Sequence, residues 1–419
     1  MEANRPSNPQ SRGELGLNLM IFNCGSSSQG FKMYQVDAAG KETTLASGKA
    51  HNVATPTQQG GTIEWKIGED GGRFSAALGS HRAAAQRILA LLEEHGLKAD
   101  AVGHRFAHGG DAFQRSVRVD GATLAALRRC LPLAPIHNPN TLQVIETCQE
   151  EQPDVPQVVV FDTTFHAHLP EAARRYALPA ALADEKGFHR FGFHGLSYQY
   201  VTERTAAWLG RPVEDLRLIL CHLGTGGSSV AAVRGGHSID TSMGYSPLSG
   251  LVMSTRCGDL DPQIVLDLVQ QGMPVEAIRD LLNQQSGLRG LSGFSSDLLE
   301  IIAAAEQGNA ACRLAFDVYV QRLKLYVGGY FWELGGADAL VFTDDVGVQA
   351  WQVREALCSG IEALGIRLDA AANRCAPPEG VTRISPEDAP VQILVMPTDE
   401  EAVILKEVIR LLIPGRMDP

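Results

Sequence analysis

The sequence predicts a mixed α/β protein built from two related halves with a cleft between them. Three features carry that expectation: a length of 419 residues, a strand, Gly/Ser turn and returning strand that occurs twice, and long stretches of helical spacing between and after the repeats. The length exceeds what one compact core usually fills, so each half is expected to bury its own apolar interior. A composition of 44% hydrophobic and 20% charged residues is that of a globular chain and excludes a mainly disordered one.

The first repeat opens at residues 17–22, a mostly apolar run closed by Asn23-Cys24-Gly25-Ser26-Ser27-Ser28, after which residues 31–36 regain strand character. Residues 80–94 place Ala84, Ile88, Leu91 and Leu92 at helical spacing and lead into a short strand over 101–105 that ends at Arg105. Residues 158–161 read as a buried strand ending at Asp162. The ends of strands in α/β folds are where function collects. The second repeat runs from a strand over 216–220 through His222-Leu223-Gly224-Thr225-Gly226-Gly227-Ser228-Ser229 and returns along 230–233. Helices are expected over 261–270, 296–305, 310–334 and 352–364. The first sixteen residues are polar and read as a disordered tail without the apolar run of a signal peptide, which points to a cytoplasmic chain.

A formal net charge of -12, with no Lys/Arg run, argues against nucleic acid and against an anionic membrane as partners. Such a chain must place its cations locally if it handles phosphate. The eight cysteines show no C-x-x-C pair and no zinc-type spacing, so they read as reduced thiols.

Glycine lets the main chain turn so that successive N–H groups converge on an anion, and either Gly/Ser turn is suited to phosphate oxygens or is a plain hairpin tip. No Gly-Lys-Ser/Thr follows, which excludes a Walker P-loop. Arg105, followed by Phe106-Ala107-His108-Gly109-Gly110, and Arg256, in Ser254-Thr255-Arg256-Cys257-Gly258-Asp259, are candidates to grip a carboxylate or phosphate; a structural salt bridge is the alternative for each. His137, before Asn138-Pro139, is expected in a loop that proline keeps irregular, and His194, in Phe191-Gly192-Phe193-His194-Gly195, in a similar one. Either imidazole can donate to an oxygen gaining charge. Asp162 is open between a base, a metal-binding residue and a helix N-cap, and Glu400 opens the last helix. His104 and His108 precede two glycines, which argues against a metal-binding helix there.

Taken in order, these segments resemble the acetate kinase family along nearly the whole chain. The most specific stretches are Asp240-Thr241-Ser242-Met243-Gly244-Tyr245-Ser246-Pro247-Leu248 and Thr255-Arg256-Cys257-Gly258-Asp259-Leu260-Asp261-Pro262. Phe161-Asp162-Thr163-Thr164-Phe165-His166 and Arg190-Phe191-Gly192-Phe193-His194-Gly195 fit the same family. The resemblance implies the duplicated ribonuclease H-like fold shared by actin, sugar kinases and the heat-shock chaperone ATPase domain. Domain I would span 17–162 plus 401–419, and domain II 163–400, with a homodimer interface on domain II. The implied reaction is reversible phosphorylation of acetate by ATP with Mg2+, giving acetyl phosphate and ADP. By position, Asn23 and Glu400 would serve the magnesium, and Arg105 the acyl carboxylate. Asp162 would hold the position assigned to proton transfer or polarisation, while His194 and Arg256, helped by His137, would stabilise the transferring phosphoryl. An acetate carboxylate is already anionic, which favours an organising role for Asp162 over a basic one.

The resemblance also implies a nucleotide side formed by His222, Leu223, Gly224, Thr225 and Gly226, by Asp297, Leu298 and Leu299, by Asp345, Val346, Gly347, Val348 and Gln349, and by Gly30. Here the sequence departs from the family. Lysine is replaced by Gly30, asparagine by Thr225, the arginine of Ser-Asp-Met-Arg by Leu299, and Gly-Ile-Gly-Glu-Asn by Asp345-Val346-Gly347-Val348-Gln349. Asp344 and Asp345 bring like charge toward a polyphosphate, at roughly 1 to 4 kcal/mol per close pair. The expectation is an acetate kinase with an altered nucleotide pocket. Its alternatives are another donor (pyrophosphate or another nucleotide), another acyl group (propionate or butyrate), or a sensor of carboxylates or acyl phosphates that does no catalysis.

Overall fold

A computed structural model of the chain describes residues 16–55 and 60–412, so the expected N-terminal tail falls almost entirely outside them. Two compact units emerge, residues 1–164 with 400–419 and residues 165–399.

Unit 1 holds strands β1 (Leu17–Cys24), β2 (Ser28–Val36), β3 (Glu42–His51), β4 (Gly61–Ile67), β5 (Asp70–Ala76), β6 (Ala101–Phe106), β7 (Val117–Arg118) and β8 (Gln157–Phe161), in the order β5-β4-β3-β2-β1-β6-β8-β7. The strands from β1 to β5 pair antiparallel, whereas β1, β6 and β8 run parallel. Alternate side chains go to opposite faces, as strand geometry requires. Met20, Phe22, Phe31 and Met33 join one apolar cluster with the helix His81–Glu94, while Phe106, Val159 and Phe161 join another. Ser80 caps that helix by accepting from the Ala83 N–H.

Unit 2 holds β9 (Arg217–Gly224), β10 (Gly227–Arg234), β11 (His237–Thr241), β12 (Ala339–Thr343), β13 (Thr382–Arg383) and β14 (Gln392–Val395), in the order β11-β10-β9-β12-β14-β13. Here β9, β12 and β14 are the parallel strands. With the β4–β5 hairpin set aside, the two sheets have one plan: three antiparallel strands, two parallel crossovers, and a short antiparallel edge strand that precedes the last parallel strand in sequence. The duplication that the weak sequence repeat implies is thus explicit in strand order. Both faces of the second sheet are covered. Ile219, Cys221 and Leu223 face one cluster, with the 25-residue helix Ala310–Leu334, and Leu218 and Leu220 face another, with the helix Gly195–Leu209.

Two helical expectations change. The stretch 352–364 is a helix over Trp351–Cys358 followed by a separate turn over Glu362–Leu364, because Ser359 leaves helical geometry at ψ 132° and Gly360 follows at φ 80°. The stretch 296–305 starts at Leu298, since Asp297 caps it by accepting from the Leu299 N–H at 2.7 Å. All eight cysteines are free, six of them buried.

Candidate active site

In unit 1, parallel strands deliver their C-terminal ends to one place. Asn23 is the last residue but one of β1, Arg105 sits near the end of β6, and Asp162 follows β8 directly, its N–H bonded to the Phe106 carbonyl. Arg105 grips Asp162 with both arms of its fork, Nε to Oδ1 at 2.8 Å and Nη2 to Oδ2 at 2.6 Å. Its Nη1 donates to Asn23 Oδ1 at 3.1 Å. The Asn23 amide then donates to Glu400 Oε2 at 3.2 Å and to Glu401 Oε1 at 3.0 Å, at the start of the helix Glu400–Leu412. Burial works against the Arg105 charge, but Asp162, Glu400 and Glu401 outweigh it, and its pKa is raised.

Sequence reasoning missed Glu401 and Lys32. The Lys32 ammonium lies 3.5 Å from Glu401. The signal was the strand period: Gly30 pairs with Asn23 across β1 and β2, and Lys32, two residues on, shares its face. Gly30 therefore belongs beside Asn23 in unit 1, whereas Thr225, Leu299 and Asp345 lie in unit 2. Asp162 is no N-cap; its carboxylate is committed to Arg105. His137 lies, as expected, outside regular structure, in the turn over residues 134–137. It immediately precedes the helix Asn138–Glu151, with Pro139 in the first turn where its missing N–H costs nothing. Asn140, in the same first turn, donates to the carbonyls of Gly25 and Ser26, which ties this helix start to the first Gly/Ser turn.

In unit 2, His194 occupies a left-handed conformation, φ 60°, just before the helix Gly195–Leu209. Its Nδ1 lies 2.8 Å from Ser229 Oγ, which also bonds Tyr198 Oη. Burial raises the Tyr198 pKa, so the phenol stays protonated. The His194 ring stacks on His222 with centroids 4.1 Å apart, and His222 Nδ1 is 2.8 Å from Ser197 Oγ. Arg256 reaches the same spot. A Cβ placed on Gly227 would lie 3.1 Å from Arg256 Nη1 and 3.5 Å from His194 Nε2, so this glycine keeps open a space that both groups face. Arg256 has a carbonyl, Pro247 O at 3.4 Å, and the Met253 sulfur as partners, and no ion pair among the described residues. Burial lowers its pKa, the mark of a cation without a counter-ion.

The profile described as the acetokinase family matches residues 18–406. The chain belongs to the acetokinase family. The acetate kinase of Dictyoglomus turgidum is 43% identical over 405 residues, covering 94% of this chain and 98% of that one. Among solved structures, the acetate kinase of Porphyromonas gingivalis superposes with a TM-score of 0.86 at 36% identity, covering 94% of this chain and 100% of that one. That of Entamoeba histolytica gives 0.85 at 41%, covering 94% and 99%.

Within this acetokinase family member, the residues expected at a nucleotide divide. Gly224, Thr225, Leu298 and Val346 line one cavity of about 10 Å³, together with Ser228, Met253, Ser254, Leu288 and Tyr319. The side chains of Leu223 and Val348 are buried in the apolar cluster that also holds Leu288, Leu298 and Val346. Leu299 and Gln349 are exposed. The carbonyls of Gly347 and Val348 accept from the fully buried Arg354, which fixes the end of the helix Asp344–Gln349. No group of three or more His, Cys, Asp or Glu among the described residues is arranged to hold a metal by itself. The donor set of Asn23 and Glu400 nonetheless suits magnesium, which takes few protein oxygens and completes its shell with phosphate and water. Three carboxylates, Asp162, Glu400 and Glu401, gather there with Arg105 and Lys32.

Proposed function

We propose that the chain is an acetate kinase, transferring a phosphoryl group reversibly between ATP and acetate to give acetyl phosphate and ADP. The observation that carries the reading is Arg256, a guanidinium without an ion-pair partner among the described residues, facing with His194 the space above Gly227. Phosphoryl transfer asks mainly for positioning and for neutralisation of charge on the equatorial oxygens. Arg256 and His194 supply that neutralisation, and the Ser229–Tyr198 pair holds the imidazole in place. Arg105 takes the acyl carboxylate, its orientation fixed by Asp162 and Asn23. Asn23 and Glu400 would hold magnesium, which when bound neutralises phosphoryl oxygens. His137 assists from its place just before the helix Asn138–Glu151.

Under this reading the chain works as a homodimer. The helix Pro262–Gln270 has no buried residue and exposes Ile264, Leu266 and Val269, an apolar surface suited to a second copy.

The test is a coupled assay of acetyl phosphate, magnesium and ADP over a range reaching millimolar. The wild type is expected to form ATP, and Arg256→Ala to lose about 10²-fold or more in kcat, as removal of a transition-state donor does. Failure of the wild type to consume acetyl phosphate would remove the reading.

A further inference from the structure

The turn joining β9 to β10 is already occupied from within the protein. Thr225 donates its backbone N–H to Asp345 Oδ1 at 2.8 Å and its hydroxyl to Asp345 Oδ2 at 2.6 Å. The Val346 N–H donates to the same Oδ1 at 2.7 Å. Next to it, Asp344 Oδ2 lies 3.1 Å from His222 Nε2. Asp344 also leans over Gly224: a Cβ built there would sit 1.9 Å from Oδ2, so a residue larger than glycine would collide with it. Asp344 holds φ 65° at the start of its helix, a conformation few side chains other than Asn and Asp tolerate.

Backbone N–H groups at a glycine turn and a neighbouring imidazole are the groups that would receive phosphate oxygens. Here two carboxylates have them. The adjoining cavity, at about 10 Å³, has room for about one water. We propose that Asp344 and Asp345 are specificity-determining residues for the phosphoryl donor: their carboxylates stand on the Gly224–Gly227 turn where nucleotide phosphates would bind, and so weaken the binding of ATP and ADP. The proposal rests on the kinase reading above and deepens its donor side. It works by repulsion and by competition for the same donors, a recognised way to discriminate among ligands.

The experiment measures Mg-ADP binding to the full chain by isothermal titration calorimetry, and phosphoryl transfer from acetyl phosphate to ADP, for the wild type and for Asp344→Asn with Asp345→Asn. Asparagine keeps the shape and removes the charge, and Asp345→Gly serves if the asparagine pair does not fold. The expected result is ADP affinity at least about tenfold tighter in the double variant. KM for ADP falls in step, and KM for acetyl phosphate is unchanged. Equal ADP affinity in wild type and variant, or micromolar affinity in the wild type, overturns the proposal and leaves the kinase reading standing. Tighter ADP binding with no transfer in any form of the protein supports the proposal's account of the turn and counts against the kinase reading alone.

Discussion

Arg105 meets its substrate, on the reading proposed here, with its guanidinium already aimed. The bidentate bond to Asp162 fixes the plane of the fork, and Asn23 fixes the third nitrogen. Asp162 is nearly buried, with 3% of its side chain exposed, so it has little freedom to swing toward a reacting oxygen. That geometry separates a positioning role from a basic one. Asp162→Asn is expected to raise KM for acetate and lower kcat by about 10²-fold, the scale of a misaligned reactant. The shape of the pH-rate profile should stay as in the wild type; disappearance of one limb in the variant would mean that Asp162 exchanges a proton during turnover.

At the scale of elements, β6 carries two consecutive polar residues to opposite fates. Arg105 points to the site, while His104 is fully buried, its Nε2 2.7 Å from Gln157 Oε1 and its Nδ1 without a hydrogen-bond partner among the described residues. Burial lowers its pKa from 6.5 to about 4, against the opposing pull of the Gln157 bond. Because the folded value lies below the unfolded one, the unfolded chain binds the proton first. Stability from this group is complete above about 6.5 and is lost as pH falls toward about 4, on the order of 3 kcal/mol in all. Urea unfolding at pH 7 and pH 5 should show the loss, and His104→Gln should flatten the difference.

The same strand shows what the sequence made legible. Apolar runs closed by turn residues located β1, β2, β6, β8, β9 and β10, because burial on both sheet faces leaves such runs and local turns punctuate them. The paired arrangement of Arg105 with Asp162 was beyond reach, since it depends on two parallel strands coming into register across 57 residues of sequence. Lys32 was hidden for a related reason: its relevance appears only once Gly30 is set opposite Asn23. That a helix starts directly after His137 was not foreseen, since Pro139 would interrupt a helix interior but is welcome in a first turn. The acidic character of Asp344 and Asp345 was plain, whereas their hydrogen bonds to His222 and Thr225 required the fold.

For the whole molecule, two sheets with one strand order account for a chain of 419 residues without a single oversized core. Among the described residues no helix is long and apolar enough to cross a membrane. On the dimer reading proposed above, the apolar residues exposed on the helix Pro262–Gln270 meet a second copy. Sedimentation velocity is expected to give a dimer, and Ile264→Glu with Leu266→Glu to give a folded monomer, judged by an unchanged circular dichroism spectrum. A wild-type monomer at micromolar concentration would contradict the dimer.

The close fit of Asp344 over Gly224 has a steric corollary. A methyl group at position 224 would meet the carboxylate in the place it now holds, so Gly224→Ala must push Asp344 away from His222. The bare α-carbon of Gly224 thus keeps a carboxylate and an imidazole together although it bonds to neither side chain.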